Sequence, residues 1–417
     1  MEYMGDQEEE ETCMSSGLFK VKLLRGVFSV VKLAHEHVPS IAWWILREHI
    51  NDLENFFRKR HETAFSSISM DEDGVTIICS PEGMTVLRSL NNEATKDSHK
   101  KWRALVVDVV GSAAEFPGAV YFLANTLSAS EISILHISTF ESEIIMVQEE
   151  DALKACEVLK KVVTDVQEVP SFLKRTKSSE KLKVTIEETP RSVEKTTHSE
   201  LHGSIGDSVT LQEGGSSDKG VDIESGGTVS CPSRKCSSRK FEGGLMLTVL
   251  PCSVMLARLS ENFIMSNPWQ TRELLVKLLL FDERYSPKER EMAKNGESSN
   301  DCTTPIEGEV SKSRMNSFWG IWRCENEITL LLEESDVDQF PEGALIVSPQ
   351  PWRIVKLSGR EIQYDETGIV CAMSQVDSDM PTLNISTAVS NCTLIHDERL
   401  EQTLEQLAKS LQCPISR

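Results

Sequence analysis

ISILHISTFESEIIMVQEED (Ile132–Asp151) and PTLNISTAVSNCTLIHDERL (Pro381–Leu400) are two versions of one pattern. Each places a run of Ile, Leu and Val before an Ser-Thr turn and a second apolar run after it. That is the sequence form of two strands joined by a tight turn. Ile137, Ser138 and Thr139 precede Ile385, Ser386 and Thr387 by 248 positions (385 minus 137). Upstream, Trp102-Arg103 and Trp352-Arg353 lie 250 apart (352 minus 102), so two residues are missing between these landmarks in the second copy. Farther upstream, FSSISMDEDGVTII and FWGIWRCENEITLL match at a constant 253, with Phe65, Ile68, Val75 and Thr76 falling on Phe318, Ile321, Ile328 and Thr329. The chain is written twice, and each half holds two successive blocks.

Within a half, the apolar period switches between 2 and 3.6. RALVVDVV, ISILHIST and EIIMVQ are rich in Val and Ile and suit strands with one or both faces covered. PSIAWWILREHINDLENFFRKR opens with Pro39 and Ser40 and sets Ile41, Trp44, Ile45, Leu53, Phe56 and Phe57 on one stripe, as a helix requires. GAVYFLANTLSAS and DALKACEVLKKVV have the same character. Residues 103–165 therefore read strand, Pro-Gly turn, helix, strand, hairpin, strand, helix, a βαββα run. The predicted class is α+β, with ferredoxin-like βαββαβ units whose helices cover one face of an antiparallel sheet.

The chain has 417 residues, beyond the size at which one core stops growing. It carries 44 basic against 65 acidic residues, a net charge of −21, which opposes contact with nucleic-acid phosphates or anionic lipid. The longest apolar runs, such as IAWWIL at 41–46, are too short to span a bilayer, and the acidic start has no signal-peptide pattern. The expectation is a soluble cytoplasmic protein without nucleic-acid or membrane partners. Eleven cysteines without framework spacing read as reduced thiols. Asn384-Ile-Ser and Asn391-Cys-Thr fit the glycosylation sequon by chance in a cytosolic chain.

Composition sets the boundaries. Residues 1–16 form an acidic tail, and 169–242, rich in Ser, Thr, Lys, Glu and Gly, form a linker with too few apolar side chains to order itself. The units are then 17–100, 101–168, 243–350 with a polar insert at about 286–316, and 351–413. No nucleophile elbow, Walker loop or dinucleotide fingerprint occurs, and no cofactor is expected. His35-Glu-His37 lacks the HExxH spacing and reads as a loop, while Cys231 and Cys236 stand in the linker without further zinc ligands.

Glu115-Phe-Pro-Gly118 followed by ISILHISTFESEIIMV resembles an ACT domain, a βαββαβ module that binds amino acids at the edges between paired copies. WRIVKLSG, Tyr364-Asp-Glu-Thr-Gly-Ile-Val370 and LNIST together resemble the fourth ACT domain of the CASTOR family. Those proteins are cytosolic arginine sensors that regulate the TOR growth kinase complex through the GATOR assembly. The resemblance covers roughly residues 20–165 and 243–412 and implies four ACT domains in two tandem halves. It also implies a non-enzymatic regulator that binds a free amino acid, L-arginine in that family. The implied partners are a GATOR-like complex and a second copy or a paralogue, as homodimer or heterodimer.

By the same resemblance the ligand pocket falls on Ser133 and Ile134 of the second unit and on Glu366, Thr367, Gly368, Ile369, Thr387, Ala388, Ser390 and Asn391 of the fourth. The residue types suit it. An amino acid needs acceptors for its ammonium and donors for its carboxylate; Glu366 offers the first, and N–H groups at a helix start offer the second. Gly368 lets a ligand approach the main chain. A partner surface is implied at Phe140, Glu141 and Glu143. The departures lie in the reading loop. Asn391 stands where arginine binders carry an aspartate, Ala388 and Ser390 where they carry aromatics, and no histidine occurs between His202 and His396. An amide supplies no charge to a guanidinium. The alternative expectation is a constitutive interaction scaffold whose pocket binds no amino acid.

Overall fold

The first half runs β1 (Phe19–Leu23), β2 (Ser29–Leu33), α1 (Val38–Ile45), β3 (Phe65–Asp71), β4 (Gly74–Cys79), α2 (Pro81–Leu90), β5 (Trp102–Val109), α3 (Ala119–Ser128), β6 (Ile134–Ser138), β7 (Ser142–Gln148), α4 (Ala152–Leu159) and β8 (Asp165–Gln167). The second runs β9 (Met246–Leu259), α5 (Glu261–Ser266), α6 (Pro268–Leu280), β10 (Trp319–Cys324), β11 (Glu327–Glu333), α7 (Glu334–Val337), β12 (Leu345–Val347), β13 (Trp352–Ser358), α8 (Ile369–Met373), β14 (Leu383–Ser386), β15 (Asn391–Ile395), α9 (Leu400–Leu411) and β16 (Ile415–Ser416). This is a computed structural model, and it describes residues 19–47, 65–90, 100–109, 118–163, 165–167, 241, 243–280, 318–325, 327–376 and 381–416. The expected tail 1–16, the 286–316 insert and all but Phe241 of the 169–242 linker lie outside these residues, as do Leu53, Phe56, Phe57 and Glu115. The described residues fall in one compact unit; Pro170–Gly227, a second, is wholly outside them.

The strands join in one sheet with the order β2-β4-β3-β10-β11-β9-β13-β15-β14-β6-β7-β5-β1-β8, with β12 and β16 added to β9. Neighbours are antiparallel except β1–β8 and β16–β9. Two pairings join the halves, and both match a residue with its own copy. Ile68 of β3 faces Ile321 of β10, and Ile137 of β6 faces Ile385 of β14. Equivalent residues paired across a joint mark a local two-fold axis, the geometry of an isologous dimer interface within one chain.

The expected unit boundaries are crossed. β1, assigned from sequence to 17–100, pairs with β5 and β8 of the second unit rather than with β2. In the second half the same task falls to one 14-residue strand: Met246–Val249 and, after a register shift, Ser253 and Val254 of β9 pair with β13, while Val254–Arg258 pair with β11. A strand that long can serve two units, and its apolar pattern does not reveal which neighbour each part will take.

Both faces of the sheet are buried. On one, α1 packs Ile41, Trp44 and Ile45 into a core shared by the first and third units, with Ile68, Leu275 and Ile321. Cores under α3 and α4 and under α8 and α9 serve the second and fourth units. On the other face a single core gathers Phe65, Trp102, Ile137, Trp322, Trp352 and Ile385 from all four units. Trp102 and Trp352, the landmarks of the repeat, are 0% and 2% exposed, which accounts for their recurrence as packing. Among the described residues no helix is long and apolar enough to cross a membrane.

Candidate ligand-binding site

At the β6–β14 joint the side chains repeat the two-fold relation. His136 N donates to Ser386 Oγ and Asn384 N donates to Ser138 Oγ, both at 2.9 Å. Ser138 and Ser386 are the serines of the repeated Ile-Ser-Thr, so that landmark encodes the cross-joint hydrogen bonds. Beside them Thr139 and Thr387 close the two hairpin turns by bonding the carbonyls of Ser142 and Ser390, at 2.7 and 3.3 Å. Each turn tip then docks on the opposite half. Phe140 N donates to Thr329 Oγ1 at 3.1 Å, and Ala388 N to Thr76 Oγ1 at 3.0 Å. Thr76 and Thr329 are themselves a matched pair of the repeat.

A cleft opens on the fourth-unit side of this joint. Its walls are Ser133–Leu135 at the start of β6, the Ile362–Val370 loop before and into α8, and the Ser386–Asn391 turn. Of the residues expected to bind ligand, Ser133, Ile134, Glu366, Ile369, Thr387, Ala388, Ser390 and Asn391 line it. Thr367 and Gly368 lie in the same loop but not in the wall. Gly368 has φ 93° at the N-cap of α8, as Gly118 has φ 75° at that of α3, so both copies use glycine for a left-handed turn into a helix. The expected helix start is weak as an anion site, because α8 has only five residues. The cavity measures about 20 Å³ on a scale where one enclosed water takes ~10–15 Å³. It is a closed cleft rather than a preformed pocket.

The carboxylate expected to receive a ligand cation already holds one. Arg360 Nη1 and Nη2 donate to Glu366 Oε1 and Oε2 at 2.6 Å each, and Gln363 N donates to Oε1 at 2.8 Å. The Arg360 guanidinium, ahead of the opposing effect of burial, holds the Glu366 carboxyl below its usual range. Asn391 is also engaged. Its amide and that of Asn384 bond each other reciprocally at 2.8 Å, and Asn391 Nδ2 donates to Ser386 Oγ at 2.9 Å. Both asparagines are at most 2% exposed, so a glycan on either is incompatible with this packing.

The loop is held from all sides. Tyr364 meets Trp102 edge-on at 5.3 Å between centroids, and Gln148 Nε2 donates to the Tyr364 carbonyl at 3.2 Å. Burial pushes the Tyr364 phenol up to about 12. From the first unit, Lys32 Nζ reaches Glu361 at 2.9 Å. Deeper, Lys356 of β13 is fully buried and meets Asp71, Glu72 and Asp73 at 2.9, 3.1 and 2.6 Å. Burial opposes its charge, but these carboxylates outweigh it and hold the ammonium above its ordinary pKa.

Of the expected partner surface, Glu141 is exposed and Phe140 half-buried, while Glu143 is turned inward. Glu143 lies within β7 and is 0% exposed, because the turn between β6 and β7 spans only residues 139–141. Phe140 N and Glu141 N donate to the Glu327 carboxylate at 2.7 and 3.2 Å, and Arg258 pairs with Glu141. The loop is thus a strut against the third unit. Glu143 sits 3.6 Å from His136, also 0% exposed. Burial pushes the carboxyl up to about 8 and the imidazole down to about 4. The copy of this pair, 248 positions on, is Asn384 with Asn391. His35–His37 forms a short 3-10 turn in which His35 Nε2 lies 2.6 Å from the Asp71 carbonyl.

Sequence reasoning missed Arg360, Asn384 and Lys356. Nothing in loop spacing pairs Arg360 with Glu366 six residues on. Asn384 was open to inference, since its match, His136, lies in the strand already aligned.

Residues 97–161 match the ACT domain family. Among solved structures, an aspartate kinase from Synechocystis is 10% identical over 95% of this chain and 56% of its own, with a TM-score of 0.26. An aspartate kinase from Clostridium acetobutylicum is 14% identical over 38% of this chain and 37% of its own, at 0.24. A protein of unknown function from Vibrio cholerae, described as a possible transport protein, is 17% identical over 35% of this chain and 91% of its own, at 0.25. Scores this low leave the architecture to the strands themselves: β5-α3-β6-β7-α4-β8 and β13-α8-β14-β15-α9-β16 each run in the βαββαβ order along the chain, with β1 standing between β5 and β8 and β9 between β13 and β16. The chain contains an ACT domain at residues 97–161, a ferredoxin-like module that is typically regulatory and ligand-binding.

Proposed function

We propose that this protein is a non-enzymatic regulator that binds a free amino acid in the cleft between the second and fourth units and passes its occupancy to a protein partner. The observation that carries the reading is the convergence at one place of the β6 start, the Ile362–Val370 loop and the Ser386–Asn391 turn, next to a self-paired strand joint. The turn that lines the cleft is tied through Ala388 to Thr76 of the first unit, and the loop through Glu361 to Lys32. A ligand that binds best with these ties closed shifts the population toward the closed joint. The resemblance to the CASTOR family supplies the finer reading: a cytosolic sensor whose partner is a GATOR-like assembly upstream of the TOR complex, working as a homodimer or with a paralogue.

Isothermal titration of the full chain against the twenty amino acids tests this, with Ala388→Trp filling the cleft. Saturable heat with at least one amino acid, lost in Ala388→Trp, is expected; no heat with any of them refutes the reading. The closed cleft and the engaged Glu366 favour a second reading, a constitutive scaffold. Partner capture from a lysate that is unchanged by any added amino acid distinguishes it.

A further inference from the structure

Resting on the amino-acid reading above, we propose that the cleft selects a small α-amino acid with an uncharged side chain, reads its zwitterionic head group with the Arg360–Glu366 pair, and excludes arginine.

The charge inventory decides this. Glu366 is the one carboxylate among the residues lining the cleft, and both its oxygens carry Arg360 N–H groups at 2.6 Å. An ionised carboxylate accepts about four hydrogen bonds, and three are taken once Gln363 N is included. A ligand guanidinium would have to displace Arg360 while standing beside its charge. Asn391, a second acceptor in the lining, spends both amide hydrogens and its carbonyl on Asn384 and Ser386. The remaining polar side chains of the lining, the hydroxyls of Ser133, Tyr364, Thr387, Ser386 and Ser390 and the amide of Gln363, are neutral. Arginine would bring a net positive charge into a site whose own charges cancel, with desolvation and no counter-ion.

A zwitterion meets no such difficulty. Its ammonium can take an oxygen of Glu366 and its carboxylate a fork nitrogen of Arg360, so each charge exchanges one partner for an equivalent one and the site stays neutral. The pair is 21% and 19% exposed; Glu366 lines the cleft, and Arg360 is joined to it through that carboxylate. Beyond the pair the walls are Ile134, Leu135, Ile369, Val370 and Ala388, apolar and without a charge to pair with a cationic side chain. Ala388, the small residue of the turn, is tied to the first unit by its bond to Thr76.

The test is isothermal titration of the full chain with alanine, serine, threonine, valine, arginine, lysine and N-acetylalanine amide. One of the small neutral amino acids is expected to bind at least tenfold more tightly than arginine or lysine. N-acetylalanine amide, which lacks both head-group charges, is expected to give no heat. Arg360→Met removes the carboxylate's partner and frees Glu366; it should weaken the neutral ligand at least tenfold and narrow or reverse its advantage over arginine. Arg360→Lys keeps the charge without the fork and should fall between. Circular dichroism on both variants checks the fold, and the N-acetylalanine amide result stands without them. Arginine binding more tightly than every neutral amino acid overturns the inference while the amino-acid site stands. An unchanged preference in a folded Arg360→Met, or binding of the blocked analogue, also overturns it. No binding by any amino acid overturns both readings.

Discussion

Replacing His136 and Glu143 together by asparagine, the residues at the matching positions 384 and 391, is predicted to flatten the pH dependence of stability between pH 6.5 and 8. In the folded chain the imidazole is lowered from 6.5 to about 4 and the carboxyl raised from 4.5 to about 8, in each case by burial. A lowered imidazole costs stability as pH falls from 6.5 to 4, because the unfolded chain gains a proton that the folded chain refuses. A raised carboxyl costs stability as pH rises from 4.5 to 8, because the folded chain keeps a proton that the unfolded chain has released. Between 4.5 and 6.5 the two slopes cancel. From 6.5 to 8 only the carboxyl contributes, with one proton of difference over about 1.5 pH units. At ~1.4 kcal/mol per unit that is a loss of roughly 2 kcal/mol in the wild type. The result is the same whether the shared proton sits on His136 or on Glu143, since the pair holds one in either arrangement. Urea unfolding followed by tryptophan fluorescence, at pH 6.5, 7.2 and 8, gives the difference between variant and wild type. Any packing change offsets that difference by a constant, while the slope belongs to the pair. A difference that stays level over this range, or grows in the opposite sense, refutes the assignment of a protonated buried pair.

Three further outcomes follow from the joints. Lys356→Met should destabilise the chain by roughly 3–5 kcal/mol in chemical denaturation, because it leaves Asp71 buried beside Glu72 and Asp73 without a cation. Ser138→Ala and Ser386→Ala each remove the acceptor for a buried N–H across the β6–β14 joint, and each should cost about 1–3 kcal/mol, with similar values as their two-fold relation requires. Gly368→Ala forces a side chain onto a φ of 93°, and a loss of about 1–2 kcal/mol in the melting analysis is expected.

The repeat made the fold legible because it carried distances as well as composition. Constant offsets of 253 and 248 aligned β3 with β10 and β6 with β14, and those strands turned out to pair with their own copies. The landmark tryptophans and serines recurred for reasons of packing and hydrogen bonding that the pattern alone could not separate from function. The site was legible as a place, since the three segments lining it were named from sequence. Its state was not. Whether Glu366 is free depends on a loop rotamer six residues away, and whether Glu143 faces out depends on a turn of three residues that puts it inside β7. The course of β1 into the second unit was likewise hidden, because pairing choice is a long-range property that a five-residue strand does not encode.

The central claim, an amino-acid site at the joint of the second and fourth units, is tested most directly by hydrogen exchange of the full chain with and without the amino acid that gives heat in titration. Slowed exchange confined to the peptides covering 133–136, 362–372 and 384–392 is the predicted result. Protection centred on any other segment, or exchange that is the same with and without ligand, would contradict it.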